Sequence, residues 1–327
     1  QQNTNDQKDL LRVDIGVKGK PTHTLVFHRK GKTPSVLWGD QGGVSAWERL
    51  VAESGGPVVA LVIDDWGNSR NEATKGLLKL PVPLTLAILP NLPFSRQYYL
   101  EGTDLILPDG LLNSEGRQLS DGRSRRLAAG CFVELRLGEK STSIPLKRRE
   151  VMLHLPMQPQ SYPETNPGAN PLLVGMSSSE INTVLDAALK NLPAVKGLNN
   201  HMGSAATSDH TTMVTLMKVL QERGFYFVDS LTSSKSVAHG EALAAGVPAL
   251  RNRIFLDYDN DNEITIAANL AVVVNTARKN GFALGIGHPF EATSRVLARE
   301  IPRLQKEGVR FVTVSEMMAM QRIGESP

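Results

Sequence analysis

The stretch Val58-Val59-Ala60-Leu61-Val62-Ile63-Asp64-Asp65-Trp66-Gly67 runs an unbroken apolar segment straight into two adjacent carboxylates. An apolar run this short reads as a buried strand, and its polar end should open into a loop that meets solvent or a ligand. Two like charges at a strand tip have two readings. One is an exposed turn, where Asp and Gly are common. The other is a division of labour, in which one carboxylate holds a metal ion and its neighbour acts as a base toward water. Partners elsewhere in the chain decide between them.

Working outward, apolar strand-like runs recur at Leu84–Leu89, Val151–Leu155, Val195–Leu198, Phe225–Val228, Val247–Leu256, Phe282–Ile286 and Val309–Val314. Helix-like stretches separate several of them, at Ser178–Lys190, Thr211–Arg223, Ile264–Asn280 and Ala292–Glu307. Ser177 precedes Glu180 at capping-box spacing, which predicts a helix start there. Gly224 and Gly281 stand where helix-terminating glycines are expected. Alternation of this kind argues for an α/β fold with a parallel sheet and helical crossovers, and roughly eight strands in ~270 residues suit a closed or nearly closed barrel.

Two regions break the rhythm. Residues 1–56 mix short alternating pieces, Leu11–Ile15 and Thr24–Phe27, with Gly- and Lys-rich turns, and read as a small β-rich appendage to a barrel spanning 57–327. Residues 101–147 carry the basic cluster Arg123-Ser124-Arg125-Arg126 and the alternating run Cys131–Leu137, and read as an insertion containing a β-hairpin. A basic cluster of this kind is more often a solvated face than a binding site.

Composition bounds the function. With 41% hydrophobic and 21% charged residues over 327 positions, the chain reads as an ordinary globular protein able to bury a full core. A net charge of +3 gives no argument for nucleic acid or an anionic membrane as partner. Cys131 is the only cysteine, so a disulfide framework within the chain and a thiolate zinc cluster are both excluded. No apolar run is long enough to span a membrane, and the polar start is unlike a signal peptide, as it would be after removal of a signal or anchor.

In an α/β barrel, residues closing the strands converge on one mouth. The run ending at Ile63 delivers Asp64 and Asp65; Val151–Leu153 delivers His154. Val195–Leu198 leads through Asn199 and Asn200 to His201, Phe282–Ile286 leads to His288, and Phe225–Val228 ends in Asp229. A lone strand-end histidine is usually structural. Three beside an aspartate pair favour a catalytic zinc-type arrangement of two imidazoles and one carboxylate, which needs no cysteine.

These residues also carry a resemblance. Ala60–Gly67, Val82–Pro90, Val151–Pro159, Gly197–Ser204, Phe227–Ser230 and Ile286–Pro289, in that order, resemble the divergent polysaccharide deacetylase family, distant relatives of metal-dependent carbohydrate esterases. The resemblance covers about residues 57–318 apart from the insertion. It implies a distorted (β/α) barrel with one divalent metal, most simply zinc, and hydrolysis of N- or O-acetyl groups on a cell-envelope or extracellular polysaccharide. It also implies a periplasmic or extracellular address. Residue by residue, it assigns Asp64 as base, Asp65 and His154 as ligands, His288 as the acid that protonates the leaving group, and Asp229 to orient His288 or bind substrate. One departure stands out: where better-known deacetylases carry the second histidine of a His-x-x-x-His pair, position 158 is Gln. His201 is the expected replacement. The same departure supports an alternative, a catalytically weak or inactive glycan-binding module on this fold.

Asn200 and Ser204 are candidates for substrate binding. Arg251 and Arg253, alternating about Asn252, point to one face and are candidates for a sugar acid or phosphate, the alternative being ion pairs with Asp257 or Asp259.

Overall fold

A computed structural model describes residues 10–17, 20–28, 56–103, 132–137, 140–145, 149–193, 195–259 and 262–324. The strands, in chain order, are β1 (Leu10–Val17), β2 (Lys20–His28), β3 (Val58–Trp66), β4 (Leu84–Ile88), β5 (Phe132–Leu137), β6 (Lys140–Pro145), β7 (Arg149–Met157), β8 (Gly197–Met202), β9 (Tyr226–Asp229), β10 (Ala249–Arg251), β11 (Phe282–Gly287) and β12 (Arg310–Val312). The α-helices are α1 (Glu72–Lys79), α2 (Ser95–Thr103), α3 (Ser178–Leu189), α4 (His210–Glu222), α5 (Ala238–Ala244), α6 (Glu263–Asn280), α7 (Glu291–Lys306) and α8 (Val314–Gly324).

The chain divides into two units, residues 1–55 with 104–148 and residues 56–103 with 149–327. The first holds an antiparallel sheet in the order β2-β1-β5-β6. The expected hairpin, β5 and β6, is therefore a sheet partner of the N-terminal strands, with Val13 opposite Leu135. Neither composition nor spacing announced that pairing. The basic cluster at 123–126 lies outside the described residues.

The second unit is a parallel sheet in the order β10-β9-β8-β7-β4-β3-β11. One edge of β3 pairs with β11 over Val58–Ile63; the other is shared, β12 beside Val58–Ala60 and β4 beside Val62–Trp66. The run Val247–Leu256, expected as one strand, is two pieces. β10 pairs with β9, the chain turns at Asn252, whose backbone N–H donates to Asp229, and Phe255 then bridges to Ile286 of β11. One short segment thus touches both ends of the sheet and nearly closes it into the expected α/β barrel.

Closure sorts side chains with a period of two. Alternate residues Val58, Ala60 and Val62 join Met152, Val228, Leu284 and Ile286 in an interior apolar cluster. Their neighbours Val59, Leu61 and Ile63 join a larger cluster with the helices. Both faces of β3 are therefore apolar, which is why its sequence shows no alternation. The predicted helices begin and end within a residue or so of expectation. Ser177 accepts from Glu180 N–H while Glu180 accepts from Ser177 N–H, completing the capping box. Gly224 and Gly281 adopt φ of 64° and 85°, the left-handed region that favours glycine. The last apolar run, Val309–Val314, gives up its strand early: α8 starts at Val314 and sends Met317 and Met318 into the barrel interior.

Candidate metal centre

The interior rows carry the site. Continuing β3 inward past Val58, Ala60 and Val62 reaches Asp64; continuing β7 past Met152 reaches His154; and β8 presents Asn199 and His201 on the same side, with His154 opposite Asn199 in register. Strict alternation would turn Asp65 away from Asp64. Instead the β3–β4 register shifts between Ile63 and Trp66, and Asp65 takes a left-handed conformation, φ 57°. That conformation costs an L-residue about 1–2 kcal/mol, least for Asn and Asp, and the bulge brings the second carboxylate back to the mouth. Trp66, fully buried and edge-on to Tyr98 with centroids 4.7 Å apart, anchors the turn.

Three polar atoms converge there. Asp65 Oδ1 lies 3.2 Å from His154 Nε2 and 3.0 Å from His201 Nδ1, and the two ring nitrogens are 3.1 Å apart. Asp65 Oδ1 is buried, yet no N–H is aligned on it as a hydrogen bond. Donors each ~2.0–2.2 Å from one ion must stand roughly 3 Å from one another, so this triangle fits a single divalent cation. Its donor set of two imidazoles and one carboxylate suits zinc and its borderline neighbours. Among the described residues this is the group of histidine and acidic side chains placed so that it could hold a metal ion.

A cavity of about 420 Å³ opens over the triangle, and Asp64 and His288 both line it. Asp64 is 2% exposed and accepts from Asn199 Nδ2 at 2.8 Å. Burial pushes its pKa up, against the pull of His154 and His288. For Asp65 burial acts the same way, but the contacts with His154 and His201 outweigh it and hold the carboxyl well below its usual range. Burial would lower His154, and the charges of Asp64 and Asp65 raise it instead. His288 likewise overcomes its burial: hydrogen bonding and charge from Asp257, helped by Asp64 and Asp65, push it up to about 9.

A family model described as divergent polysaccharide deacetylase matches residues 139–318, more than half of the chain. The chain belongs to the divergent polysaccharide deacetylase family. It is 29% identical over 268 residues to the uncharacterized protein YibQ of Escherichia coli strain K12, covering 82% of this chain and 69% of the relative. An uncharacterized protein of Haemophilus influenzae is 30% identical over 265 residues, 81% of this chain and 78% of that one. A crystal structure of an uncharacterized Agrobacterium tumefaciens C58 protein shares the fold, with a TM-score of 0.62 and 22% identity over 81% of this chain and 90% of that one.

Within this deacetylase-family barrel, Asp64, Asp65, His154, His201 and His288 come together, and Asn200 and Ser204 line the same cavity. Gln158 does not reach the triangle. Its Oε1 accepts from Val174 N–H at 2.9 Å, so the side chain holds a neighbouring loop while His201 supplies the second imidazole. Asp229 does not orient His288. It is fully buried, accepting from Leu231 N–H and Ser236 Oγ with Arg251 at 3.8 Å. The carboxylate on His288 is Asp257, whose Oδ1 is 2.8 Å from Nδ1 and whose Oδ2 accepts from the His288 backbone N–H and from Thr293 Oγ1. Arg251 and Arg253 are exposed and stand outside the cavity lining, and Arg251 pairs with Asp229 rather than with Asp257 or Asp259. Asp257 carries no motif of its own; its only sequence signal is its place just after Phe255 and Leu256, the segment that closes the barrel beside β11. Among the described residues no helix is long and apolar enough to cross a membrane.

Proposed function

We propose that this protein is a metal-dependent deacetylase that hydrolyses N- or O-acetyl groups on a cell-envelope or extracellular polysaccharide, working in the periplasm or outside the cell. The observation that carries the reading is the convergence of Asp65, His154 and His201 beneath a cavity that also receives a buried, unligated carboxylate, Asp64, and an imidazole held by its own carboxylate, His288. A glycan-binding module would have no use for a base and an acid of matched placement.

Asp65, His154 and His201 would hold the ion, most simply zinc. Bound there, it would supply Lewis acidity, acidifying water and polarising an acyl oxygen. The chain's own groups account for the proton transfers. Asp64, desolvated and oriented by Asn199, accepts the proton of the attacking water. Burial raises its pKa, which strengthens the carboxylate as a proton acceptor. His288 is cationic at neutral pH because Asp257 sits on Nδ1, which leaves Nε2–H to deliver a proton to the departing amine or alcohol. An amine leaves only when protonated, so bond cleavage on an N-acetyl substrate depends on this donor. The cavity floor adds neutral groups suited to a sugar, the hydroxyls of Ser204, Ser230 and Thr232 and the ring of Phe255.

Acetate release from acetylated amino-sugar oligomers and O-acetylated glycans, measured with added zinc or cobalt, tests the proposal. Turnover abolished in Asp64→Asn with metal content retained supports it. No release from any such substrate by metal-loaded protein, alongside intact glycan binding, would replace it with the binding-module reading.

A further inference from the structure

The side chain of Asn199 stands between the two halves of this chemistry. Its Nδ2 donates to Asp64 Oδ1 at 2.8 Å and to Ser230 Oγ at 3.0 Å, using both amide hydrogens. Its Oδ1 lies 2.7 Å from His154 Nδ1. An ionised carboxylate can only accept, so with Asp64 ionised the amide nitrogen faces Asp64 and the amide oxygen faces His154. An amide oxygen can only accept in turn, so His154 Nδ1 must carry the proton. The Nε2 lone pair of the neutral ring is then directed at the Asp65–His201 triangle. One amide therefore fixes the tautomer of a ligand and the orientation of the base. The position is built for it: Asn199 is fully buried, directly across the strand pair from His154.

We propose that Asn199 is a positioning residue that couples the metal centre to the base, its oxygen setting metal affinity through His154 and its nitrogen setting turnover through Asp64. This rests on the metal-dependent deacetylase reading above and goes beyond it, because neither the motif pattern nor the ligand set requires a single residue to serve both. No isosteric substitute keeps both functions. Asp keeps the acceptor for His154 and loses the donors, placing a second carboxylate against Asp64; Leu keeps the volume and loses both functions.

Asn199→Asp and Asn199→Leu separate the two sides. Zinc affinity is measured by competition with a chelator, kcat and KM at saturating metal, and folding by circular dichroism. Asn199→Leu is expected to bind zinc about 10–100-fold more weakly, the usual effect of losing an outer partner of a ligating histidine. Asn199→Asp is expected to stay within about threefold of wild type in zinc affinity yet lose kcat by at least tenfold with KM little changed, a split that simple loss of packing does not produce. ¹⁵N NMR of the His154 ring, at a pH where the ring is neutral, gives a readout that needs neither metal nor substrate. The Nδ1–H tautomer is expected in wild type and in Asn199→Asp, and its loss in Asn199→Leu. Folded Asn199→Leu with wild-type zinc affinity, Asn199→Asp as weak as Asn199→Leu, or an Nε2–H tautomer in wild type would each overturn the proposal. Failure of wild type to bind zinc despite the Nδ1–H tautomer would instead point to the metal reading as the error, and would remove the coupling with it.

Discussion

The two ends of the barrel both hold clustered polar groups, and they differ in whether those groups are satisfied. At the N-terminal end Glu150 is the hub: it accepts from Thr85 Oγ1 at 3.0 Å, Tyr226 Oη at 2.9 Å and Ser315 N–H at 3.1 Å, while Thr85 also accepts from Val314 N–H. The donors match the acceptors, and the cluster ties the start of α8 to the sheet. At the C-terminal end Asp65 Oδ1 is buried without a hydrogen bond, two imidazole nitrogens face it, and Asp64 keeps one oxygen for the cavity. A carboxylate at the end of a barrel is therefore no evidence of chemistry by itself. What marks the mouth is unmet valence concentrated at one point, where a structural cluster would have supplied donors.

The comparison breaks if the mouth behaves like the floor. The largest expected effect is at Asp64: Asp64→Asn should lower kcat by about 10²–10⁴, the range for loss of a general base, without loss of metal. Retained turnover would place the base elsewhere. Next comes Asp257. The fold raises His288 to about 9 from an ordinary 6.5, so it stabilises the charged ring. That stabilisation is complete below about pH 6.5, fades as pH rises through about 9, and amounts to roughly 3–4 kcal/mol at most in metal-free protein. In urea unfolding, the stability gap between wild type and Asp257→Asn should accordingly be wide at pH 6 and narrow by pH 9.5. The alkaline limb of kcat should also move to lower pH in the variant. A gap that widens with pH would contradict the pairing.

At the floor the expected effects fall on stability alone. A Cβ at Gly197 would stand 2.0 Å from the Tyr226 ring, so Gly197→Ala should cost about 1–3 kcal/mol by overpacking, read as a lowered urea midpoint. Tyr226→Phe removes one of three donors to Glu150 and should cost about 1 kcal/mol, with zinc affinity unchanged. Loss of metal in Tyr226→Phe would mean that the two ends are not independent. The smallest effect expected is at Arg251→Ala and Arg253→Ala, within twofold of wild-type turnover on neutral glycans, because neither residue lines the cavity.

Much of the mouth was legible in the sequence because barrel closure converts strand ends into neighbours. Asp64, His154, His201 and His288 each follow an apolar run, and that position alone brought them together. What the sequence concealed has physical causes. Asp65 reads as a ligand beside Asp64, but the left-handed bulge that brings it there is not legible, because strict alternation would turn it to the other face. Asp257 follows the run Val247–Leu256, which reads as one strand but breaks at Asn252, its last residues closing the barrel beside β11. Asp229, which ends a strand as the site residues do, is spent on holding its own loop. In the sequence Asn199 is only a residue on the way to His201, because an amide's role depends on what faces each of its ends. The sheet partnership between the N-terminal strands and the inserted hairpin joins segments more than a hundred residues apart, and no local pattern encodes such a pairing.

Elemental analysis of the purified protein after equilibration with zinc tests the central claim most directly, with His154→Ala and His201→Ala measured beside it and their folding checked by circular dichroism. One ion per chain in wild type, falling to a small fraction in both folded variants, is the predicted result. No stoichiometric ion in wild type, or an ion that stays when both histidines are removed in turn, would contradict the assignment of Asp65, His154 and His201 as a metal centre.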